Sequence, residues 1–167
     1  MDFDELRRKH HALIPKKFGF DCGPGWIKIL DDLFSKLDST LAADIELQLL
    51  QVKEKLGGLR FYCRIEPQPP EDIYRQIRRQ IDIAQAWSFH ICESCGRGGQ
   101  LMKRDGFYFT ACERCCRQED DAHGRRAVPV LRQPYYSHVG EGEQWHVFDV
   151  DRIDFVPAAP PDDFDDP

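Results

Sequence analysis

Two motifs, CESC at residues 92–95 and CERC at residues 112–115, decide how the middle of this chain folds. In each motif two residues separate the cysteines, so one tight turn can present both thiolates to a single ion. Sixteen residues lie between the motifs, which leaves room to bring the two turns together. The spacing predicts one structural zinc ion bound by Cys92, Cys95, Cys112 and Cys115, with no coordination position left for water.

The remaining cysteines and the nearby histidines define the alternatives to this ligand set. Cys116 directly follows the second motif and is the alternative fourth ligand, although the two-residue gap favours its neighbour. His90 and His123 would replace a cysteine only where one pair failed, and we interpret both as surface or packing residues. Cys22 and Cys63 are expected to be buried apolar groups. Iron in a rubredoxin-like site and a redox dithiol are the alternatives to zinc.

The residues around the motifs predict the fold of the metal-binding segment, which we place at residues 91–126. Gly96 suits a turn with positive φ directly after the first pair. The stretches QLMK and FYFTA flank RDG and predict a short hairpin, and the sequence after Cys112 is compatible with a helix. A knuckle, a hairpin and a helix in this order are typical of a treble-clef zinc finger, a fold that hosts many functions.

Residues 1–90 predict a body built from helices and one β-hairpin. A short helix is expected at residues 4–13, and apolar residues recur at helical spacing from Trp26 to Leu37. Alternation on both sides of Gly57 and Gly58 predicts an antiparallel hairpin, with positive φ at one of these glycines. We expect Lys53, Lys55, Arg60 and Arg64 on its solvent side, either as a basic contact patch or as a solvated strand face.

A third helix is predicted to begin at Glu71, where acidic residues suit the positive end of the helix. The residues predicted to face inward are Ile73, Ile77, Ile81, Ala84 and Ser88, and those predicted to face outward are Arg75, Arg78, Arg79 and Asp82.

The C-terminal part is predicted to be a β-hairpin over residues 127–157, followed by a disordered acidic tail at residues 158–167. The stretches 127–139 and 144–156 are rich in valine and aromatic residues and flank a predicted turn, GEGE. The sequence therefore predicts an α+β fold with three parts: a helix–β-hairpin–helix body, a treble-clef zinc finger and a C-terminal β-hairpin. No run of about 18 apolar residues and no signal-peptide core occur, so we expect a cytoplasmic protein that does not enter a membrane.

Net negative charge is concentrated near the C-terminus. Residues 140–167 contain one basic and nine acidic residues, whereas the whole chain has a net charge of −6. Acid favours a basic protein partner and opposes contact with nucleic acid or anionic membranes, although a solvated surface is the alternative interpretation. The candidate partner-binding residues are Trp145, His146, Asp149, Asp151 and Asp154. The alternative, which the pattern favours for most of the aromatic residues of this region, is that they form the core of the predicted hairpin.

Several enzyme classes lack support in this sequence. It contains no P-loop, no nucleotide-binding glycine motif, no nucleophile elbow and no HExxH motif. Residues 92–126 contain seven basic and six acidic residues, and four thiolates with zinc add a charge of −2, which is a weak footprint for phosphate contacts. The composition therefore favours a non-enzymatic protein-binding module, with a nucleic-acid-binding zinc-finger regulator as the alternative.

Three strings resemble a family of uncharacterised bacterial and phage-borne proteins: GPGW at residues 23–26, QVKEKLGGLRFYC at residues 51–63 and CESCGRGG at residues 92–99. In that family the hairpin reads close to QVKEKFGGLRFY, so Leu56 stands where phenylalanine is usual. The resemblance covers about residues 24–115 and implies a bacterial or prophage setting without implying an activity. In that setting, we hypothesise a toxin-immunity protein or a phage-encoded inhibitor that neutralises another protein.

Overall fold

The structure is a computed structural model that describes residues 1–138 and 144–161. Within these residues it combines helices with small antiparallel sheets, as an α+β fold requires. The helices are α1 (Phe3–Lys9), α2 (Ile27–Thr40), α3 (Glu71–Ser88) and α4 (Glu113–His123). The strands are β1 (Glu46–Lys55), β2 (Gly58–Glu66), β3 (Gln100–Arg104), β4 (Phe107–Ala111), β5 (Val128–Pro129), β6 (Tyr136–His138), β7 (Trp145–Asp149) and β8 (Asp154–Pro157).

The main core lies between the β1–β2 hairpin and helices α2 and α3. The predicted apolar stripe of α2 is confirmed, because its residues from Ile29 to Leu37 enter this core together with Trp26, which is fully buried. The hairpin contributes Val52 and Phe61, which are directly paired across the two strands. Helix α1 ends at Lys9, before the predicted end at residue 13, and the chain then turns so that Leu13 and Ile14 are buried.

The β1–β2 hairpin turns at Leu56 and Gly57, whose φ angles are +55° and +80°. Positive φ at both central residues matches the right-handed twist of the flanking strands, and it confirms the expected conformation of one glycine. The Gly57 N–H donates to the carboxylate of Glu54. A bulge between Leu49 and Gln51 shifts the register of the two strands.

Helix α3 buries two sides. The residues of its predicted inward face that join the main core include Ile77, Ile81 and Ala84. Ile83 and Ala86 instead form a second cluster with Phe155 of β8.

The predicted outward orientation of Arg79 and Asp82 was therefore wrong. Arg79 donates to the Asp154 carboxylate at 2.8 Å and to the carbonyl oxygen of Phe155 at 2.9 Å. Burial raises the pKa of Asp82, whose charge acts on Tyr135 just before β6. The physical reason is that the C-terminal strands pack across this side of the helix and take the place of solvent.

The C-terminal region forms three strands in the order β6-β7-β8, not the predicted two. The stretch predicted as one strand, residues 144–156, is interrupted where Asp149 accepts hydrogen bonds from the N–H groups of Asp151 and Arg152. This aspartate turn lets β8 fold back on β7. Strand β5 pairs with β3 of the metal-binding segment instead.

Two further predictions fall wholly or partly outside the described residues. The GEGE turn at residues 140–143 and the last six residues of the predicted acidic tail, 162–167, are not described. Residues 158–161 are described and contain neither helix nor strand.

The docking of the C-terminal sheet on α3 can be tested by shortening Phe155, which is only 4% exposed. We expect Phe155→Ala to lower the free energy of unfolding by about 3–5 kcal/mol, because the truncation leaves a cavity against Ile83 and Ala86. Thermal and chemical unfolding would measure this loss. Val150→Ala is the control, since Val150 is 43% exposed and should change stability little. An equal, small effect of both substitutions would contradict the observed packing.

Candidate metal centre

The four cysteines of the two motifs lie together. Their sulfur atoms are all within 4.8 Å of one another, and the Sγ atoms of Cys95 and Cys112 are 3.6 Å apart. Metal–sulfur bonds of about 2.3 Å in a tetrahedron place neighbouring sulfurs about 3.8 Å apart. The donor set and its spacing therefore fit one tetrahedral metal ion and are compatible with zinc.

The first pair of ligands lies in a tight knuckle held by backbone hydrogen bonds. The N–H of Cys92 donates to the carbonyl of Arg97 at 2.7 Å, and the N–H of Gly96 donates to the carbonyl of Cys92 at 2.9 Å. Gly96 has a φ of +74°, which glycine adopts at little cost and other residues rarely adopt. The turn directs the side chains of Cys92 and Cys95 to the same point.

The second pair of ligands lies at the start of α4. Cys112 is the N-cap residue, and its Sγ accepts a hydrogen bond from the N–H of Cys115 at 3.5 Å. This bond lowers the pKa of Cys112 to about 7 and so favours the thiolate. Burial has the opposite effect on Cys115 and raises its pKa to about 12. A bound cation would offset that cost, because metal binding displaces thiol protons.

Cys116 does not join the four sulfurs. Its Sγ points toward Asp120, with 4.0 Å between sulfur and the nearer carboxylate oxygen, and burial raises its pKa. The helix places Cys115 and Cys116 about 100° apart, so only one can face the ion. His90 stacks with Phe148, with 6.0 Å between the ring centroids. The side chain of His123 lies outside the described part of the chain.

A network of charged hydrogen bonds holds α4 against β3. Arg104 donates to Asp120 at 3.0 Å and to Glu119 at 3.1 Å. Asp120 also accepts the N–H of Ala127 at 3.0 Å, which fixes the chain just before β5. Desolvation raises the pKa of Asp120, but the hydrogen bond from Arg104 lowers it, and the net result is a pKa below the usual value. This network positions the helix that carries Cys112 and Cys115.

The knuckle is joined to the body by the glycine turn before α2. The N–H of Gly25 donates to the Glu93 carbonyl at 2.6 Å, and the N–H of Gly23 donates to the Glu93 carboxylate at 2.8 Å. The indole N–H of Trp26 donates to the Ile91 carbonyl at 2.9 Å. A Cβ atom on Gly25 would lie 2.2 Å from the carbonyl oxygen of Cys92, so the approach of the two backbones requires glycine here.

The turn of the β1–β2 hairpin forms a second joint. The Thr110 hydroxyl in β4 donates to the Gly57 carbonyl at 2.6 Å. A Cβ atom on Gly58 would lie 2.1 Å from the Phe89 ring, so this ring packs directly on the glycine backbone. Sequence reasoning assigned these glycines to turns and missed their role as contact points. The only signal in the sequence was the pair Gly57–Gly58. The two-residue turn uses only one of these glycines, so the second must have another role.

The five candidate partner-binding residues lie in or beside β7 and β8, but they do not form one free acidic surface. Trp145 and His146 are adjacent in β7 and point to opposite faces of the sheet. Asp149 supports the turn described above, and Asp154 pairs with Arg79. Asp151 is exposed.

Comparison with known protein families, with curated proteins and with solved structures found no match for this chain. In the described ranges, the four clustered cysteines are the only group of metal-binding side chains close enough to hold an ion. No helix in those ranges has the length and apolar character needed to cross a membrane. The assignment of a metal site therefore depends only on the positions of the four cysteines.

The ligand set can be tested with two adjacent cysteines. We expect Cys115→Ser to abolish stoichiometric zinc binding, because a serine hydroxyl is a poor replacement for a thiolate. Cys116→Ser is the matched control and should retain one zinc ion per chain. Metal content of the purified proteins by mass spectrometry would measure both. Zinc loss from Cys116→Ser with retention in Cys115→Ser would reverse the assignment of the fourth ligand.

The joint between the knuckle and the body makes a separate prediction. We expect Gly25→Ala to lower both the melting temperature and the zinc affinity, because the added methyl group collides with the backbone of Cys92 and Glu93. Gly98→Ala lies in the same segment but meets no atom within 4 Å, so it serves as the control. Zinc titration and thermal unfolding would be measured on both variants. A stable Gly25→Ala variant with normal zinc affinity would contradict the close approach.

Proposed function

We propose that the metal is one structural zinc ion and that residues 91–126 form a treble-clef zinc finger. A knuckle, the β3–β4 hairpin and α4 follow one another along the chain, with one pair of thiolates in the knuckle and the other at the start of α4. Four thiolates complete a tetrahedral zinc site and leave no position for water or substrate. The ion then serves folding, since zinc supplies free energy that the short segment cannot obtain from its own small core.

We further propose that the chain is a non-enzymatic binding protein whose partner is another protein. The observation that carries this proposal is a second apolar face on the C-terminal sheet. Tyr136, Val147 and Val156 are paired in one row across its three strands, opposite to the face that packs on α3. Trp145 lies on the same face, with its ring centroid 6.1 Å from that of Tyr136.

The composition of this face is unusual for a sheet with one side packed on a core. In antiparallel sheets the second face normally carries polar residues that contact water. Here the central row is apolar. Its residues are half-buried, and none of them belongs to the three buried clusters of the described chain. Aromatic residues in such faces are enriched at the centres of protein interfaces.

The charge of the region suggests the kind of partner. Asp151 is exposed, and residues 140–167 have a net charge of −8. Such a region accelerates encounter with a basic protein. Neutralising a basic protein by covering its surface needs no reactive group, which is consistent with a toxin-immunity protein or a phage-encoded inhibitor. We place this activity in the cytoplasm of a bacterial or infected host cell.

The alternative function is a nucleic-acid-binding regulator that acts through the zinc segment. Its support is weak, because residues 92–126 with four thiolates and a zinc ion would carry a net charge of −1. Three of the six arginines of this segment are also paired with acids: Arg104 with Glu119 and Asp120, Arg117 with Glu113, and Arg125 with Asp105.

The proposed face can be tested with one charge introduced at its centre. We expect Val147→Lys to abolish recovery of the partner when tagged protein is used to capture proteins from a bacterial host, followed by mass spectrometry. The lysine would be desolvated in the interface and would repel a basic partner. Gln118→Lys adds the same charge on exposed α4 and should leave recovery unchanged. Equal recovery by both variants, each with a normal melting temperature, would contradict the assignment of this face.

The acidic residues make a second prediction with the recovered partner. We expect Asp151→Asn to slow association at low salt without changing stability, since an exposed charge acts mainly on encounter. Asp154→Asn should instead lower the free energy of unfolding by about 0.2–1 kcal/mol, because it removes the partly exposed ion pair with Arg79. Association kinetics and thermal unfolding separate the two effects. An association rate unaffected by Asp151→Asn would indicate that the acid is only a solvated surface.

A further inference from the structure

The outer face of the β1–β2 hairpin carries basic and aromatic side chains. Val52 and Phe61 point toward the core, so their neighbours in the strands point away from it. On this outer side Lys53 is directly opposite Arg60. Tyr62 follows on the same side and is 43% exposed. The Nζ atom of Lys53 lies 5.5 Å from the centroid of the Tyr62 ring.

Arg132 extends this surface from the chain segment before β6. Its guanidinium carbon lies 3.7 Å from the centroid of the Phe89 ring and 5.1 Å from that of Tyr135. The guanidinium of Arg60 lies 5.8 Å from the same Phe89 ring. Phe89 is buried and packs on Gly58, so the two arginines lie around one closely packed ring. Stacking on a ring leaves the edge of a guanidinium free to donate hydrogen bonds.

The three cations form no close ion pair with the described acids, although the charges of Asp82, Arg60 and Arg132 all act on Tyr135. In the described part of the chain, Lys53, Arg60 and Arg132 form no ion pair, and Arg132 donates no hydrogen bond. Like charges directly opposite each other destabilise a strand pair. Desolvation and the nearby charge of Arg60 lower the pKa of Arg132. This arrangement costs free energy in the isolated chain, and a bound anion would remove that cost.

We propose that the surface formed by Lys53, Arg60, Tyr62 and Arg132 binds the phosphodiester chain of single-stranded nucleic acid. The cations would contact successive phosphates, and the exposed Tyr62 ring would stack on a base. Sites for single strands combine these two features, and stacking tolerates any base because every base has an aromatic face. Carboxylates of an acidic polypeptide could use the cations but would gain nothing from the Tyr62 ring. This surface is separate from the zinc segment and from the apolar face of the C-terminal sheet.

The cations can be tested with a fluorescein-labelled oligothymidine of about 20 nucleotides, long enough to exceed a typical single-strand site. Its binding to the full-length, zinc-loaded protein would be measured by fluorescence anisotropy over a salt series. We expect Lys53→Gln and Arg132→Gln each to weaken binding about fivefold at ~0.1 M salt, the factor that follows from a slope of about 0.7 per phosphate contact. Each variant should also lower the salt slope by about 0.7.

The matched control is Arg117→Gln, which makes the same change in net charge on exposed α4 and should alter affinity less than twofold. A loss of affinity equal to that of Lys53→Gln would show that only net charge matters, and the proposal would be overturned. The absence of any binding at low salt would overturn it as well. Folding is checked independently, because Lys53→Gln should leave the melting temperature unchanged or slightly raised by relieving repulsion from Arg60.

The aromatic residue separates stacking from electrostatics. We expect Tyr62→Ala to weaken oligothymidine binding roughly fivefold or more, whereas Tyr62→Phe keeps the ring and should retain affinity. Unlabelled oligothymidine should compete for the site at lower concentrations than double-stranded DNA or poly-glutamate of equal charge. Equal affinity of Tyr62→Ala and the unaltered protein would overturn the proposal. Stronger competition by poly-glutamate would identify an acidic polypeptide as the occupant and overturn it too.

Discussion

The contact between the Gly25 and Cys92–Gly96 backbones links the metal centre to the hydrophobic core. The Gly25 N–H donates to the carbonyl of Glu93, a residue that stands between two metal ligands, and the next residue is the fully buried Trp26. The peptide group between Gly25 and Trp26 therefore connects the residue that contacts the knuckle to a residue of the hydrophobic core. Zinc binding in isolated fingers provides on the order of 10–16 kcal/mol, which is comparable to the whole stability of a domain. Through this contact, a metal ion that orders the knuckle would also order the start of α2.

Sequence reasoning succeeded where local periodicity or spacing determines structure. The spacing of the four cysteines predicted the cluster of sulfurs, and the apolar stripe of α2 predicted its buried side. It failed where a residue's environment depends on distant parts of the chain. Ile83 and Ala86 of α3 lie outside the main apolar stripe, and only the packing of Phe155, about seventy positions later, explains why they are buried. Likewise, β8 was hidden in a continuous valine-rich stretch. Val150 stands between Asp149 and Asp151, so the alternation of a half-exposed strand continues through the aspartate turn that separates β7 from β8.

The glycines show why a correct local prediction can still miss a function in the fold. Gly57 has the positive φ that a tight hairpin turn requires. Its neighbour Gly58 has no such requirement, and the reason for its small size is the ring of Phe89. That ring in turn holds Arg132 and contacts Arg60. The tip of the β1–β2 hairpin therefore has two contacts. Its Gly57 carbonyl accepts a hydrogen bond from Thr110 of β4, and its Gly58 packs on the ring that lies beside Arg60 and Arg132. The pattern of turn residues alone does not reveal these contacts.

The separation of charge within the chain constrains how its surfaces can act. Residues 140–167 contain nine of the 29 acidic residues of the chain but only one basic residue. Two of these acids, Asp149 and Asp154, pair with Arg152 and Arg79. Lys53, Arg60 and Arg132 retain their charge without such pairing. At about 0.01 M salt the screening length is roughly 30 Å, so a polyanion would experience the net charge of −6 as well as these cations. At physiological salt the screening length falls to about 8 Å, and a bound polyanion then interacts mainly with the charges adjacent to it. Rising salt thus weakens local attraction and distant repulsion together, so the salt dependence of the whole protein should be shallower than its number of phosphate contacts alone would give.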